Sequence, residues 1–85
     1  MKASVIESIH RNLREQGVQT DLGEDTRFDD IDIDSLGLYS MMAGVEDDHD
    51  IIVHCGEFAV LEGISDLTDL VIGKISNNMP LARAA

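Results

Sequence analysis

The sequence predicts an all-α protein: a small four-helix bundle, with three main helices, one short helix and a long first loop. Apolar residues recur at helical spacing in three separate stretches, and no stretch alternates as a half-buried strand would. Hydrophobic residues form 44% of the 85 residues, enough for a folded core and too many for a disordered chain. This length makes one domain spanning 1–85, with about 3–77 structured and 78–85 expected as a tail. It is too short for a deep catalytic cleft.

Val5, Ile6, Ile9 and Leu13 place an amphipathic helix over 3–15. Ser4 is expected as its N-cap, with Glu7 completing a capping box, and Gly17 as its stop. Residues 17–34 hold two glycines and many polar side chains, so they read as a long loop pinned by Phe28 and Ile31. Loops of this length in a compact domain are commonly functional. A second helix follows from about Ser35 to Asp50, with Asp34 as N-cap. The cluster Phe58-Ala59-Val60-Leu61 between Gly56 and Gly63 suits a helix of one or two turns. Ser65 is expected to cap the last helix, whose stripe is Leu67, Leu70, Val71 and Ile75. Asp66 and Asp69 at its start and Lys74 near its end suit the macrodipole, and Asn77, Asn78 and Pro80 end it.

Charge narrows the function. The formal net charge is −11, and no Lys or Arg occurs between Phe28 and Gly73. A polyanion is repelled by nucleic acid and by anionic membranes, so neither is expected as a partner. Basic partners, steered in and released quickly, suit a sustained one-sign region. No apolar run approaches membrane-spanning length, and Met1 to Ser4 lacks the apolar core of a signal peptide. Cys55 is the single cysteine, so no internal disulfide can form; a small buried side chain is its default state. The expectation is a cytoplasmic monomer.

Placing residues of the second helix every 100° separates two faces. Leu38, Met41, Met42, Val45 and His49 share a core stripe. Leu36, Tyr39, Ser40 and Ala43 lie opposite, with Glu46, Asp47 and Asp50 interleaved, the pattern of a docking surface with an apolar centre and charged surround. Glu46, Asp47, Asp48 and Asp50 crowd the negative end of the helix dipole, and Gly37 and Gly44 each cost roughly 1 kcal/mol relative to alanine. Such residues read as placed for what they meet.

Between these faces stands Ser35. Unpaired amides and partial positive charge at a helix N-terminus favour a phosphate esterified there, while Asp30, Asp32 and Asp34 oppose it. A calcium loop over Asp30-x-Asp32-x-Asp34 fails, since its sixth position is Ser35 rather than Gly and its twelfth is Met41 rather than Glu. A hydrolase nucleophile in Gly-x-Ser-x-Gly would need glycine where Ile33 stands, and a strand before it. His10, His49 and His54 are available as bases, but nothing in the sequence sets one beside Ser35. No catalytic residue and no metal ligand is assigned.

Asp34-Ser35-Leu36, preceded by Phe28-Asp29-Asp30-Ile31 and followed by an acidic helix, resembles an acyl carrier protein over residues 3–77. The resemblance implies that Ser35 takes a 4′-phosphopantetheine group from coenzyme A, added by a phosphopantetheinyl transferase, and that the protein itself catalyses nothing. An acyl or related intermediate of fatty acid or polyketide-type biosynthesis would then ride as a thioester. By the same resemblance, Asp34 and Leu36 are read by the transferase. Leu36, Tyr39, Ala43, Glu46 and Asp47 dock on basic patches of acyl-loading, condensing or modifying enzymes. Phe28, Ile31, Met41, Val45 and Val53 match the family's apolar core positions. Three features depart from carriers of primary fatty acid synthesis. Gly37 and Ser40 stand where acids are usual, His49 replaces an aromatic or aliphatic residue, and His54-Cys55-Gly56-Glu57 replaces an acidic, proline-containing start of the third helix. A specialised stand-alone carrier, including an aminoacyl or peptidyl one, stands beside the primary pathway. Outside the family, the rival reading is an acidic helical adaptor with no prosthetic group.

Overall fold

A computed structural model describes residues 1–78. Four α-helices follow one another: α1 Lys2–Glu15, α2 Ser35–His49, α3 Cys55–Ala59 and α4 Ile64–Asn78. A single 3-10 turn, Phe28–Asp30, lies in the long first loop, and among the described residues no strand forms. The all-α bundle of three main helices and one short one is as the sequence predicts. Of the expected tail 78–85, only Asn78 is described, as the last residue of α4; Pro80 lies outside the described residues.

The ends of the helices show where local chemistry decides. At the end of α1, Gly17 takes a φ of 91°, and the amides of Gly17 and Val18 donate to the carbonyls of Arg14 and Leu13. That is a Schellman ending, closed by the burial of Val18 and Leu13 in the same core. The start differs from expectation. Ser4 lies inside α1, which begins at Lys2, and its hydroxyl donates back to the Met1 carbonyl at 2.8 Å; no capping box forms. Likewise α4 begins at Ile64, one residue before Ser65, because Gly63 supplies the carbonyl for the first helical bond, from Leu67. The Asp66 carboxylate reaches back to accept from the Glu62 amide at 2.9 Å.

α1 packs against both α2 and α4. Val5, Ile9 and Leu13 are fully buried on its inner face, and Met41 and Val45 of α2 and Leu67 and Val71 of α4 are equally closed off. Ile31 is buried and Phe28 partly so, which pins the loop as predicted; Val53 is only partly buried. The Arg27–Gly63 pairing is not visible in the sequence pattern. The Phe28 amide donates to the Glu62 carbonyl and the Ile64 amide to the Thr26 carbonyl, both at 2.9 Å. These bonds dock the long loop on the α3–α4 connection. A Cβ at Gly63 would lie 2.6 Å from the Thr26 carbonyl oxygen, so the close approach requires glycine.

The acids at the end of α2 are the largest correction. Asp48 faces α1, not a partner: its Oδ2 accepts from Ser8 Oγ at 2.6 Å, from Asn12 Nδ2 at 3.0 Å and from the Arg11 guanidinium. Ser8 and Asn12 are both buried, and Asp48 satisfies the polar groups that the α1–α2 crossing would otherwise strand. Gly44 has the same cause, since a Cβ there would overlap the Asn12 amide. Glu46 is also committed, accepting from the Val53 amide at 2.7 Å while its carbonyl receives the amides of Asp50 and Ile51. α2 therefore ends at His49, with Asp50 in the left-handed conformation (φ 55°, ψ 50°) that usually falls to glycine. His49 is half-buried, as the core stripe implied.

Two glycine substitutions test this packing. Gly44→Ala gains helix propensity of about 1 kcal/mol, but displacing Asn12 strands buried polar groups at about 1–3 kcal/mol, so a net loss of stability is expected. Gly73→Ala, with open space around it in α4, should gain up to about 1 kcal/mol. Equal and positive shifts in denaturant midpoint for both variants would contradict the account of the crossing.

Candidate functional site

Ser35 is the first residue of α2, and the site is built around how that helix starts. Asp34 lies in extended conformation (φ −91°, ψ 177°), and its Oδ1 accepts from the Gly37 amide at 2.7 Å. The Leu38 amide bonds to the Asp34 carbonyl at 3.0 Å. Of the four amides that a helix start leaves open, that of Gly37 is capped, and those of Asp34, Ser35 and Leu36 make no hydrogen bond among the described residues. Gly37 has a local cause. A Cβ there would lie 2.6 Å from Ile33 Cγ1 and 3.2 Å from Asp34 Oδ1, so glycine lets the loop fold tightly over the helix start.

The Ser35 side chain is exposed, and its hydroxyl makes no hydrogen bond to another group among the described residues. No histidine is hydrogen-bonded to it. It stands at the edge of a cleft of about 220 Å³ lined by Phe28, Asp29, Ser35, Leu38, Tyr39, Phe58, Ala59 and Leu61. The Phe58 ring sits between two others: Phe28 at 6.0 Å, tilted by 60°, and Tyr39 at 5.6 Å, edge-on at 62°. Such separations and tilts are the favoured aromatic geometry. Two larger cavities do not include Ser35 in their lining: one on the other side of the helix start, over Gln16, Asp32, Asp34, Leu36, Gly37 and Ser40, and one over Asp50, Ile52 and Lys74. Of the core stripe, Leu38 is partly buried and lines the aromatic cleft, whereas Met42 is buried and is not on its lining.

α3 forms the far wall of the cleft and is fixed through Glu57. Its Oε1 accepts from the His54 amide at 3.0 Å and from Lys74 Nζ of α4 at 2.9 Å. The Lys74 hydrogen bond, first, and the His54 amide, second, hold the Glu57 carboxyl below the usual carboxylate range. Cys55 opens α3 and is exposed, contrary to the buried state expected of a lone cysteine. A five-residue helix has one buried anchor, Phe58, which leaves its first residues outside.

The predicted partner-facing residues divide. Leu36 is 75% exposed and Tyr39 50%, and Asp34, Ala43 and Asp47 are exposed beside them. Glu46 is half-buried and holds the Val53 amide, so its carboxylate is not free for a partner in the same way. Tyr39 has a second role that helical periodicity did not reveal, as the outer ring of the cleft. Among the described residues, no group of three or more His, Cys, Asp or Glu side chains is placed to hold a metal ion. Comparison with family models, with curated proteins and with solved structures found no match to this chain.

Acid should loosen both carboxylate clamps. Asp48 is held below the usual range chiefly by the Ser8 hydroxyl, then by Asn12 and Arg11, against an opposing effect of burial. Folded-state pKa values of Asp48 and Glu57 are depressed, so their stabilisation is present above the ordinary carboxylate range and is lost as pH falls through the folded values. Relief of the overall −11 charge acts oppositely, but equally on variants that keep the remaining acids. The melting-temperature gap between wild type and an Asp48→Asn, Glu57→Gln double variant should therefore be widest near pH 7 and close as pH falls below about 4. A gap that stays constant over that range would refute the two clamps as titrating contributors.

Proposed function

We propose that this protein is a discrete carrier protein: a cytoplasmic monomer that bears a 4′-phosphopantetheine arm on Ser35 and presents an acyl or related intermediate to enzymes of fatty acid or polyketide-type biosynthesis. The observation that carries the reading is Ser35 itself. It is an exposed hydroxyl without a hydrogen-bond partner among the described residues, first in α2, with open amides beside it and a cleft at its edge. The residues fit such a group. An esterified phosphate would meet the open amides of Ser35 and Leu36, and the positive end of the helix dipole favours it. The arm's terminal thiol supplies the chemistry when bound, by holding the cargo as a thioester. The chain's own residues position and expose: Asp34 caps and orients the helix start, Leu36 offers an apolar contact to the transferase, and Phe28, Tyr39 and Phe58 wall the cleft.

The partner face runs from Leu36 through Tyr39 and Ala43 to Asp47, all exposed on α2. Partners with basic patches suit it, because no Lys or Arg lies between Phe28 and Gly73 to repel them. Loading tests the attachment. Incubation with coenzyme A and a promiscuous phosphopantetheinyl transferase should add one phosphopantetheine mass to the native chain and none to Ser35→Ala. No gain on the native chain, or an equal gain on the variant, would sink the assignment. An adaptor without an arm would instead bind its partners equally well with and without the Ser35 hydroxyl.

Charge reversal on the partner face separates steering from structure. Asp47→Lys should slow association with a cognate enzyme severalfold at low salt, and the difference should shrink once the screening length falls to about 8–10 Å near physiological ionic strength. Glu46→Lys should additionally lower stability, because the Val53 amide loses its acceptor. Association rates of Asp47→Lys that match wild type at every ionic strength would remove the steering argument.

A further inference from the structure

We propose, resting on the carrier reading above, that the cargo of this protein is a short acyl group with a flat, π-bearing end, an aryl or conjugated enoyl thioester, and that it is held in the aromatic cleft beside Ser35. The chain contains three aromatic residues, two Phe and one Tyr, with no Trp. All three line this one cleft, although they come from the 3-10 turn, from α2 and from α3. Core filling alone does not explain the arrangement. Tyr39 is half exposed, Phe28 is only partly buried, and the fully enclosed core of α1, α2 and α4 is aliphatic and methionine-lined.

Size sets the first limit. A cavity of about 220 Å³ holds roughly seven or eight carbon-sized groups, taking each to fill about the 30 Å³ that a water occupies in the liquid. Of the buried core residues, Phe58 at 8% exposure lines the cleft, and Met41, Met42 and Val45 of α2 are not on its lining. A long saturated chain would have most of its length outside. Ring geometry sets the second. Phe58 is met by Phe28 and Tyr39 at tilts of 60° and 62°, so the three rings offer both faces and edges to a guest. A flat π system gains from that beyond its buried area, whereas a saturated ring of equal size does not. Charge sets the third. Among the described residues, Asp29 is the only ionisable side chain on the lining besides the Tyr39 phenol, and none there is a cation that could pair with a carboxylate-bearing cargo. A neutral acyl end therefore suits the cleft better than a dicarboxylic one.

Benzoyl, cyclohexanecarbonyl and hexadecanoyl pantetheine arms, loaded from their coenzyme A thioesters with the same transferase, test this. Intact mass reports loading, cleavage by hydroxylamine reports shielding of the thioester, and nuclear Overhauser contacts report whether the cargo touches the rings. Each cleavage rate is divided by that of the same acyl group on free pantetheine. The benzoyl form should be shielded roughly threefold to tenfold more than the cyclohexanecarbonyl form, with cargo contacts to Phe58 and Tyr39. The hexadecanoyl form should show little shielding. Phe28→Leu, which removes one ring of the cleft while keeping an apolar side chain at a partly buried position off the partner face, should erase the benzoyl advantage, with cleavage rates compared on the loaded fraction that intact mass reports. Equal shielding of benzoyl and cyclohexanecarbonyl, or the strongest shielding for hexadecanoyl, would overturn the proposal with the carrier reading untouched. Failure of any arm to load on Ser35 would overturn both.

Discussion

The two backbone hydrogen bonds across Gly63 are the constraint on which the site depends. They tie Thr26 and Phe28, in the middle of a long polar loop, to the connection between α3 and α4. Backbone pairing is indifferent to side chains, and here it sets a distance that the loop's own composition could not. Once Phe28 is held there, its ring meets Phe58, and the chain that follows is led past Ile31 into the cap at Asp34. Ser35 comes to the cleft because the loop before it is fastened at one point and capped at another. Any side chain larger than hydrogen at position 63 would press on the Thr26 carbonyl and shift the whole approach.

What was legible in the sequence follows the range of the interaction concerned. The Asp34 cap and the Gly17 ending involve neighbours within five residues, so they could be read directly. The core stripe of α2 could be read because helical periodicity maps sequence onto a face. Ser4 and Ser65 misled the local reading. Ser4 stands three residues before Glu7 and Ser65 is followed by Asp66 and Asp69, both fitting a helix start, but the helices extend past both because the carbonyls of Met1 and Gly63 accept the first helical bonds. The place of Ser35 at the start of α2 and the exposure of Leu36, Tyr39 and Ala43 on its outer face were legible. The cleft was not, because Phe28, Tyr39 and Phe58 share no periodic relation and meet only through tertiary structure.

The acidic end of α2 shows why a charge pattern alone underdetermines purpose. Four acids at a negative dipole end look unfavourable, and each alone costs up to about 1 kcal/mol. Asp48 recovers that through three donors from α1, and Glu46 through the amide it captures in the α2–α3 loop. Both are exchanges across more than one element, invisible to a count of like charges. Asp47 remains the acid whose placement no internal contact explains, and it stands on the same side as Leu36, Tyr39 and Ala43. Acids committed to internal bonds and an exposed acid thus stand side by side on one helix, separated by the direction in which each side chain leaves it.

The same weighing applies at Ser35. The positive end of a helix stabilises a nearby anion by about 0.3–1 kcal/mol, and a unit charge 4 Å away in water repels it by about 1 kcal/mol. Asp34, already bound to the Gly37 amide, neutralises part of that positive end, and Asp30 and Asp32 stand exposed nearby. Attraction and repulsion at this serine are therefore close to balance, so a phosphate there would be tolerated without being clamped. A group attached at such a point keeps its freedom to swing, and its resting place is decided at its far end. The apolar ground within reach at this edge is the cleft of Phe28, Tyr39 and Phe58, whose lining carries a single carboxylate. On the carrier reading proposed above, weak electrostatics at the anchor and selective packing at the tip would let the site release its cargo to a partner and still discriminate what it holds.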